Sequence, residues 1–266
     1  MYHSIIIAHR DWPALRQCLA SIALSARACN RNRYEIIVAD DGSLYSKPPD
    51  APNLRVVSVP RVDPFNKSIL LNLGIEAARG NVLTILDADM LVNVGFMNAP
   101  AALFQDPGLS KLCYRVRDLD DDAALALEEA GVSPASVEAT FANYDKSPRA
   151  FEARGLPHTN SVRPAQQPLF GNSQFSVRRE MLGDLRYDEG YLGRGYEDID
   201  LNLRLWQQEG DHYRTQLCDQ MVYHLPYFGP KDETWGPGPW NDRNKRRYMH
   251  KYGLHRREQR KRRQPA

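Results

Sequence analysis

The chain of 266 residues is short of the features that mark special classes of protein. Its four cysteines, Cys18, Cys29, Cys113 and Cys218, are scattered without a Cys-x-x-Cys pair, which excludes the common zinc and dithiol patterns and leaves free thiols as the expectation. No apolar run approaches the roughly 18 residues that a membrane-spanning helix needs. The opening MYHSIIIAHRDW has a short apolar stretch broken by His9, Arg10 and Asp11, without the charged start and small-residue cleavage site of a secretory signal. No internal repeat is visible. A composition of 42% hydrophobic and 26% charged residues is ordinary for a globular chain and excludes disordered and collagen-like classes. The sequence is therefore read as soluble and cytoplasmic, with one large or two small domains.

A net charge of +2 hides an asymmetry. Residues 243–266 hold 11 Lys/Arg against the single acid Glu258, so an acidic body carries a basic tail. That tail is read first as a disordered, solvated end. A second reading is peripheral association with anionic lipid head groups, where a lipid-linked substrate would sit, at the inner face of a membrane. No aromatic interleaving supports nucleic-acid binding.

The first hundred residues alternate between strand-like and helix-like runs. SIIIA (4–8), YEIIVA (34–39), LRVVSV (54–59) and VLTIL (82–86) are short, apolar and β-branched. Between them, Leu15, Leu19, Ile22 and Ala23 recur at helical spacing after Asp11-Trp12-Pro13, read as a helix start with a capping acid. Ile69, Leu70, Leu73 and Ala77 predict a helix over about Lys67–Ala78, stopped by Gly80. Strands separated by helices imply an α/β, doubly wound, mostly parallel sheet. Residues 115–168 read as an insertion or mobile loop region holding the acidic run 118–122 as a solvated face, a helical run through Ala130 and a proline- and polar-rich connection from Ser147 to Pro168. Strand character returns at Leu169–Val177, and Asp198–Gln208 is an amphipathic helix. Trp235 and Trp240, in a Gly/Pro-rich stretch, form either a lid or a packed terminus.

Open parallel sheets bind ligands at the carboxyl ends of their strands, and two acidic motifs fall there. The second strand runs into Asp40-Asp41-Gly42-Ser43 and the fourth into Asp87-Ala88-Asp89. Two carboxylates on one turn repel each other unless a cation or donors compensate. A hard divalent ion bridging to a diphosphate is a natural compensation.

The order and spacing of these motifs, with Asn72-x-Gly74 on the helix between them, resemble the nucleotide-binding half of family-2 glycosyltransferases of the GT-A (Rossmann-like) fold. The stretch LFGNSQFSVRREMLGDLRYDEGYLGRGYEDIDLNLRL resembles the carboxyl-terminal half of β-1,4-galactosyltransferases and chondroitin-polymerase-type enzymes, and Met221-x-x-His224 resembles their later metal-binding pair. The resemblance implies a domain over 1–229, with a nucleotide-sugar half (1–114), the 115–168 region and an acceptor and catalytic half (169–229). Residues 230–266 follow as the aromatic segment and basic tail.

What it implies for function is a metal-dependent, inverting glycosyltransferase moving a hexose or N-acetylhexosamine from a uridine-diphosphate sugar to a hydroxyl of a glycan, glycoconjugate or lipid-linked acceptor, in polysaccharide biosynthesis. The implied donor-binding residues are Ala8, His9 and Arg10, which depart from the family's usual first loop, then Asp40, Asp41, Lys67, Asp87, Ala88 and Asp89. Mn2+ or Mg2+ would be held by Asp89 and His224, with Asp87 and Met221 as further ligands. Glu197 and Asp198 match the family's Glu-Asp pair, with Asp198 as the general base. Tyr191, Gly195, Tyr196 and Glu197 would face the acceptor. Two alternatives stand beside this: a retaining transferase of the same fold, resembling polypeptide N-acetylgalactosaminyltransferases, although those carry Glu-Asn where this sequence has Glu-Asp, and a non-catalytic domain that binds nucleotide or glycan.

Overall fold

The computed structural model describes residues 1–61, 63–119, 121–144, 173–193, 195–226 and 239–253. Within these residues one eight-stranded sheet is flanked by helices on both faces. The strands are β1 (His3–His9), β2 (Tyr34–Asp41), β3 (Leu54–Val59), β4 (Val82–Asp87), β5 (Met90–Val92), β6 (Lys111–Asp118), β7 (Phe175–Arg178) and β8 (Thr215–His224), ordered β3-β2-β1-β4-β7-β6-β8-β5. The first four strands pair in parallel, as the sequence predicts, and β6 pairs in parallel with β8. Strand β7 is antiparallel to both β4 and β6, and β5 is antiparallel to β8, so the sheet is mixed on that side.

Strand β1 shows how the core forms. Alternate side chains of a strand point to opposite faces. Ile5 and Ile7 pack with Leu15, Cys18, Leu19 and Ile22 of helix α1 (Leu15–Ala28), whereas Ile6 packs with Leu70, Leu71 and Ile75 of helix α2 (Lys67–Ala77). All three isoleucines are fully buried, each contributing about 1.5–3 kcal/mol of transfer free energy. The near-continuous apolar run is the mark of a strand covered on both faces. Gly74 is the position that lets α2 approach: a Cβ there would stand 2.3 Å from Ile6 Cγ2.

Several sequence expectations are corrected. Asp11 does not cap α1, whose first turn follows Ala14 without a side-chain cap. Its carboxylate instead accepts hydrogen bonds from the backbone N–H groups of Tyr45 and Ser46, at 2.6 and 3.0 Å, and tethers the loop after β2. Helix α2 runs Lys67–Ala77 with Ala78 as its C-cap, as the sequence predicts to within a residue. Residues 115–118 are not loop but the end of β6, an internal strand between β7 and β8. Helices α3 (Ala99–Leu103), α4 (Asp121–Ala130) and α5 (Pro134–Tyr144) follow the chain order, and Leu127 and Val137 of the last two pack with Leu91, Leu119 and Tyr223. Past a short helix α6 (Arg179–Leu182) comes α7 (Glu197–Glu209). Part of the supposed basic tail is helix α8 (Pro239–Lys251). Residues 145–168, Trp235 and residues 254–266 lie outside the described residues. No helix among the described residues is long and apolar enough to cross a membrane.

Candidate functional site

Sheet register brings the acidic motifs together. Ala8 at the end of β1 stands opposite Ala39 on one side and Asp87 on the other, and His9 stands opposite Asp40. The chain leaves β4 at Asp87, turns through Ala88-Asp89 and re-enters the sheet as β5, where Met90 pairs with His224 of β8. That pairing puts His224 beside Asp89, with Nε2 to Oδ2 3.0 Å. Asp89 is buried, and its Oδ1 has no hydrogen-bond partner.

Opposite lies the start of α7. Tyr196 adopts a left-handed φ of 72°, and Glu197, Asp198 and Asp200 then occupy the first helical turn, where the positive end of the helix dipole favours carboxylates. Lys67, at the start of α2 behind the Asn66 cap, bridges the two halves. Its Nζ stands 2.8 Å from Asp87 Oδ1, 3.3 Å from Asp198 Oδ2 and 3.8 Å from Glu197 Oε1. Burial alone would lower the ammonium's pKa, but the carboxylates of Asp198, Asp87 and Glu197 overcome it and hold the group charged. Burial would likewise raise Asp87, but Lys67, Ser173 and Gln174 keep it below the usual carboxylate range. Asp198 Oδ1 accepts from Tyr187 Oη at 3.0 Å.

Glu197 differs from its neighbours. Its Oε2 is buried without a hydrogen-bond partner, and burial followed by repulsion from Asp198 pushes its carboxyl up to about 7, against partial relief from Lys67. The folded protein thus binds this proton more tightly than the unfolded chain between pH 4.5 and about 7, and this contribution to stability falls as pH rises through that window. Glu197→Gln removes the penalty. The variant's gain in melting temperature over the parent is expected to be larger at pH 8 than at pH 5; an equal gain at both pH values would exclude a buried, charge-penalised Glu197.

Ala8, Trp12, Phe65, Lys67, Asp87, Ala88, Asp89, Ser173, Gly195, Glu197, Asp198 and His224 enclose a cleft of about 230 Å³. Most of the residues expected from sequence thus meet in one place. Others lie beside it. Arg10 makes a buried ion pair with Asp41 and donates to Asp63 at 2.8 Å, Asp40 accepts from the Ser43 hydroxyl and backbone N–H, and His9 Nε2 is 2.6 Å from the Ser46 carbonyl. In this structure these groups shape the loop after β2. Tyr191 is 1% exposed with its hydroxyl on Asp200, so it packs inside rather than on the cleft. Met221 is placed in β8 opposite Arg115; its side chain is outside what the structure describes. Sequence reasoning missed Trp12 and Phe65 as lining, Ser173 and Gln174 as donors to the Asp87 carboxylate, and Tyr187 as the partner of Asp198.

No cluster of three or more His, Cys, Asp or Glu side chains suited to a metal occurs among the described residues. The pair Asp89–His224, with a buried carboxylate oxygen left over, offers one oxygen and one imidazole nitrogen, which would suit a divalent ion whose remaining ligands came from phosphate oxygens and water.

The family model for glycosyl transferase family 2 matches residues 4–125. A polypeptide N-acetylgalactosaminyltransferase 3 of Drosophila melanogaster is 25% identical over 227 residues, 77% of this chain and 32% of that protein. Among solved structures, TarS 1–349 of S. aureus in complex with UDP-GlcNAc superposes with a TM-score of 0.57 at 15% identity, covering 86% of this chain and 60% of that one. Glucosyl-3-phosphoglycerate synthase of Mycobacterium tuberculosis gives 0.51 at 18% identity, covering 86% and 73%. The chain therefore spans about a third of the curated relative and three fifths of the TarS fragment.

Proposed function

We propose that the chain, whose residues 4–125 match the glycosyl transferase family 2 model and whose fold is shared with GT-A neighbours, is a metal-dependent, inverting glycosyltransferase that uses a uridine-diphosphate sugar. The observation that carries the proposal is the Lys67 hub, which draws Asp87 of the donor half and Glu197-Asp198 of the acceptor half onto one cleft, with Asp89–His224 lining it too. A neighbour solved with UDP-GlcNAc and a relative named as an N-acetylgalactosaminyltransferase support the donor class. A glycan, glycoconjugate or lipid-linked hydroxyl is the acceptor.

Asp198 acts as the general base. Sugar transfer passes through an oxocarbenium-like transition state while the attacking hydroxyl loses its proton, so a carboxylate must face that oxygen. An ionised carboxylate offers about four lone-pair sites. Tyr187 and Lys67 each engage one oxygen of Asp198, leaving room for the acceptor hydroxyl. Lys67, 3.3 Å from Asp198 Oδ2, orients the carboxylate. A divalent ion on Asp89 and His224, when bound, supplies charge neutralisation on the leaving diphosphate. With Asp198 facing the acceptor across the anomeric carbon from that leaving group, an α-linked donor gives a β-linked product.

The test is release of free uridine diphosphate from a panel of uridine-diphosphate sugars, with manganese and with chelator. The expected result is turnover of one donor that chelator removes and that His224→Ala reduces by about tenfold or more. Turnover that chelator leaves intact overturns the metal site, and neither turnover nor metal-dependent binding of any donor overturns the enzyme assignment. The likeness to an N-acetylgalactosaminyltransferase keeps a retaining outcome as the second reading, and proton NMR of the product anomer separates the two.

A further inference from the structure

We propose that helix α8 is a clamp on the loop that delivers the catalytic carboxylates, with Asn244 as its positioning residue; this rests on the assignment of Glu197-Asp198 above. Helix α8 is read from sequence as part of a solvated tail, and its side chains from Asn241 to Lys251 are exposed or half-buried except for one. Asn244 is fully buried. Its Nδ2 donates to the carbonyls of Leu192, at 2.7 Å, and Gly195, at 3.0 Å. Between those two carbonyls, the Gly193 N–H donates inward to the Phe65 carbonyl at 2.7 Å, next to the start of α2. The loop is thus held from inside by the donor half and from outside by α8.

Two glycines of this segment lie close against α8. Gly195 has a φ of +100°, and a Cβ there would stand 2.9 Å from Asn241 Oδ1 of α8. A Cβ on Gly190 would stand 2.2 Å from the Arg247 guanidinium. The Tyr196 ring, one residue before Glu197, packs on Tyr248 with centroids 5.5 Å apart. Arg247 and Lys251 each reach Asp188 at 2.8 Å, and Lys251 and Tyr252 reach Asp200 at 2.7 and 2.8 Å. Two of the helix's cations, Arg247 and Lys251, are therefore paired with acids that flank the loop. The partly exposed pairs to Asp188 contribute little. A buried amide serving two loop carbonyls contributes more, because its removal strands both acceptors.

Asn244→Asp tests this, since it keeps the shape and removes the donor group. Hydrogen exchange across residues 191–196 is expected to quicken about tenfold. In the donor-hydrolysis assay kcat is expected to fall about tenfold with the donor KM unchanged, because displacing the carboxylates leaves donor binding intact. Lys245→Ala, on the exposed side of α8, leaves both unchanged. Unaltered exchange over 191–196 in Asn244→Asp overturns the clamp, and so does a rise in donor KM equal to the loss of kcat/KM. If the parent turns over no donor, the catalytic assignment fails while the exchange measurement still decides whether α8 clamps the loop.

Discussion

Asp198→Asn is expected to lower sugar transfer by about 10²–10⁴-fold, the usual contribution of a positioned general base, while uridine diphosphate still binds. The substitution is nearly isosteric. An asparagine carbonyl can still accept from Lys67, and its amide can donate to the Tyr187 oxygen, so the two contacts that orient Asp198 survive. What disappears is the capacity to take a proton from the acceptor hydroxyl. Transfer is measured as product formed and donor binding by titration with uridine diphosphate and manganese. Transfer within threefold of the parent, on the order of 0.6 kcal/mol in barrier, would remove Asp198 from the base role. Tyr187→Phe is a milder companion: it frees one carboxylate oxygen without touching charge, and its effect is confined to orientation.

The part of this site carried by β1, β2 and β4 is legible in the sequence because it is built from local pattern. Strands buried on both faces read as apolar runs, and acids placed at their carboxyl ends stand out against them. The parallel register of β1, β2 and β4 then brings Ala8, Asp40 and Asp87 to one edge with no further information. The part of the site around Glu197 and Asp198 is legible only as a motif. Its residues are assembled by contacts between distant segments: Asn72 on α2 holds the Tyr187 backbone, donating to its carbonyl at 3.0 Å and accepting from its N–H at 2.8 Å, and this sets the tyrosine against Asp198. No periodicity records a bond spanning 115 residues. Strands β6 and β8 were missed for a related reason, since LCYRVRD and TQLCDQMVYH mix charge with apolar residues. Lys111 is the extreme case. It is fully buried in β6, with its ammonium 2.5 Å from Asn202 Oδ1 and over the Phe175 ring, an environment that lowers its pKa by burial. A lysine at such a position argues against a buried strand until its partners are known. The basic segment was misread because its counter-charges, Asp188 and Asp200, lie some fifty residues upstream.

Lys67→Met should produce the largest loss of stability. The substitution preserves length and apolar stem but leaves Asp87, Glu197 and Asp198 around an empty position. Removing one partner of a buried ionic group costs about 3–5 kcal/mol, because the remaining charges keep their desolvation penalty. At a few degrees per kcal/mol for a chain of this size, the melting temperature at pH 8 is expected to fall by about 10 °C. The pH dependence identifies the cause. Without the ammonium, Asp87 loses the largest influence that lowers its pKa and Glu197 loses the one that partly relieves it, so the variant binds protons more tightly when folded and gains stability as pH falls. The parent behaves oppositely at Asp87, whose lowered pKa contributes stability that is lost in acid. The gap between the two proteins should therefore narrow from pH 8 to pH 5. A deficit that stays constant over that range would mean that Lys67 acts through packing alone, and the view of Lys67 as the charge that joins the two halves of the site would fall with it.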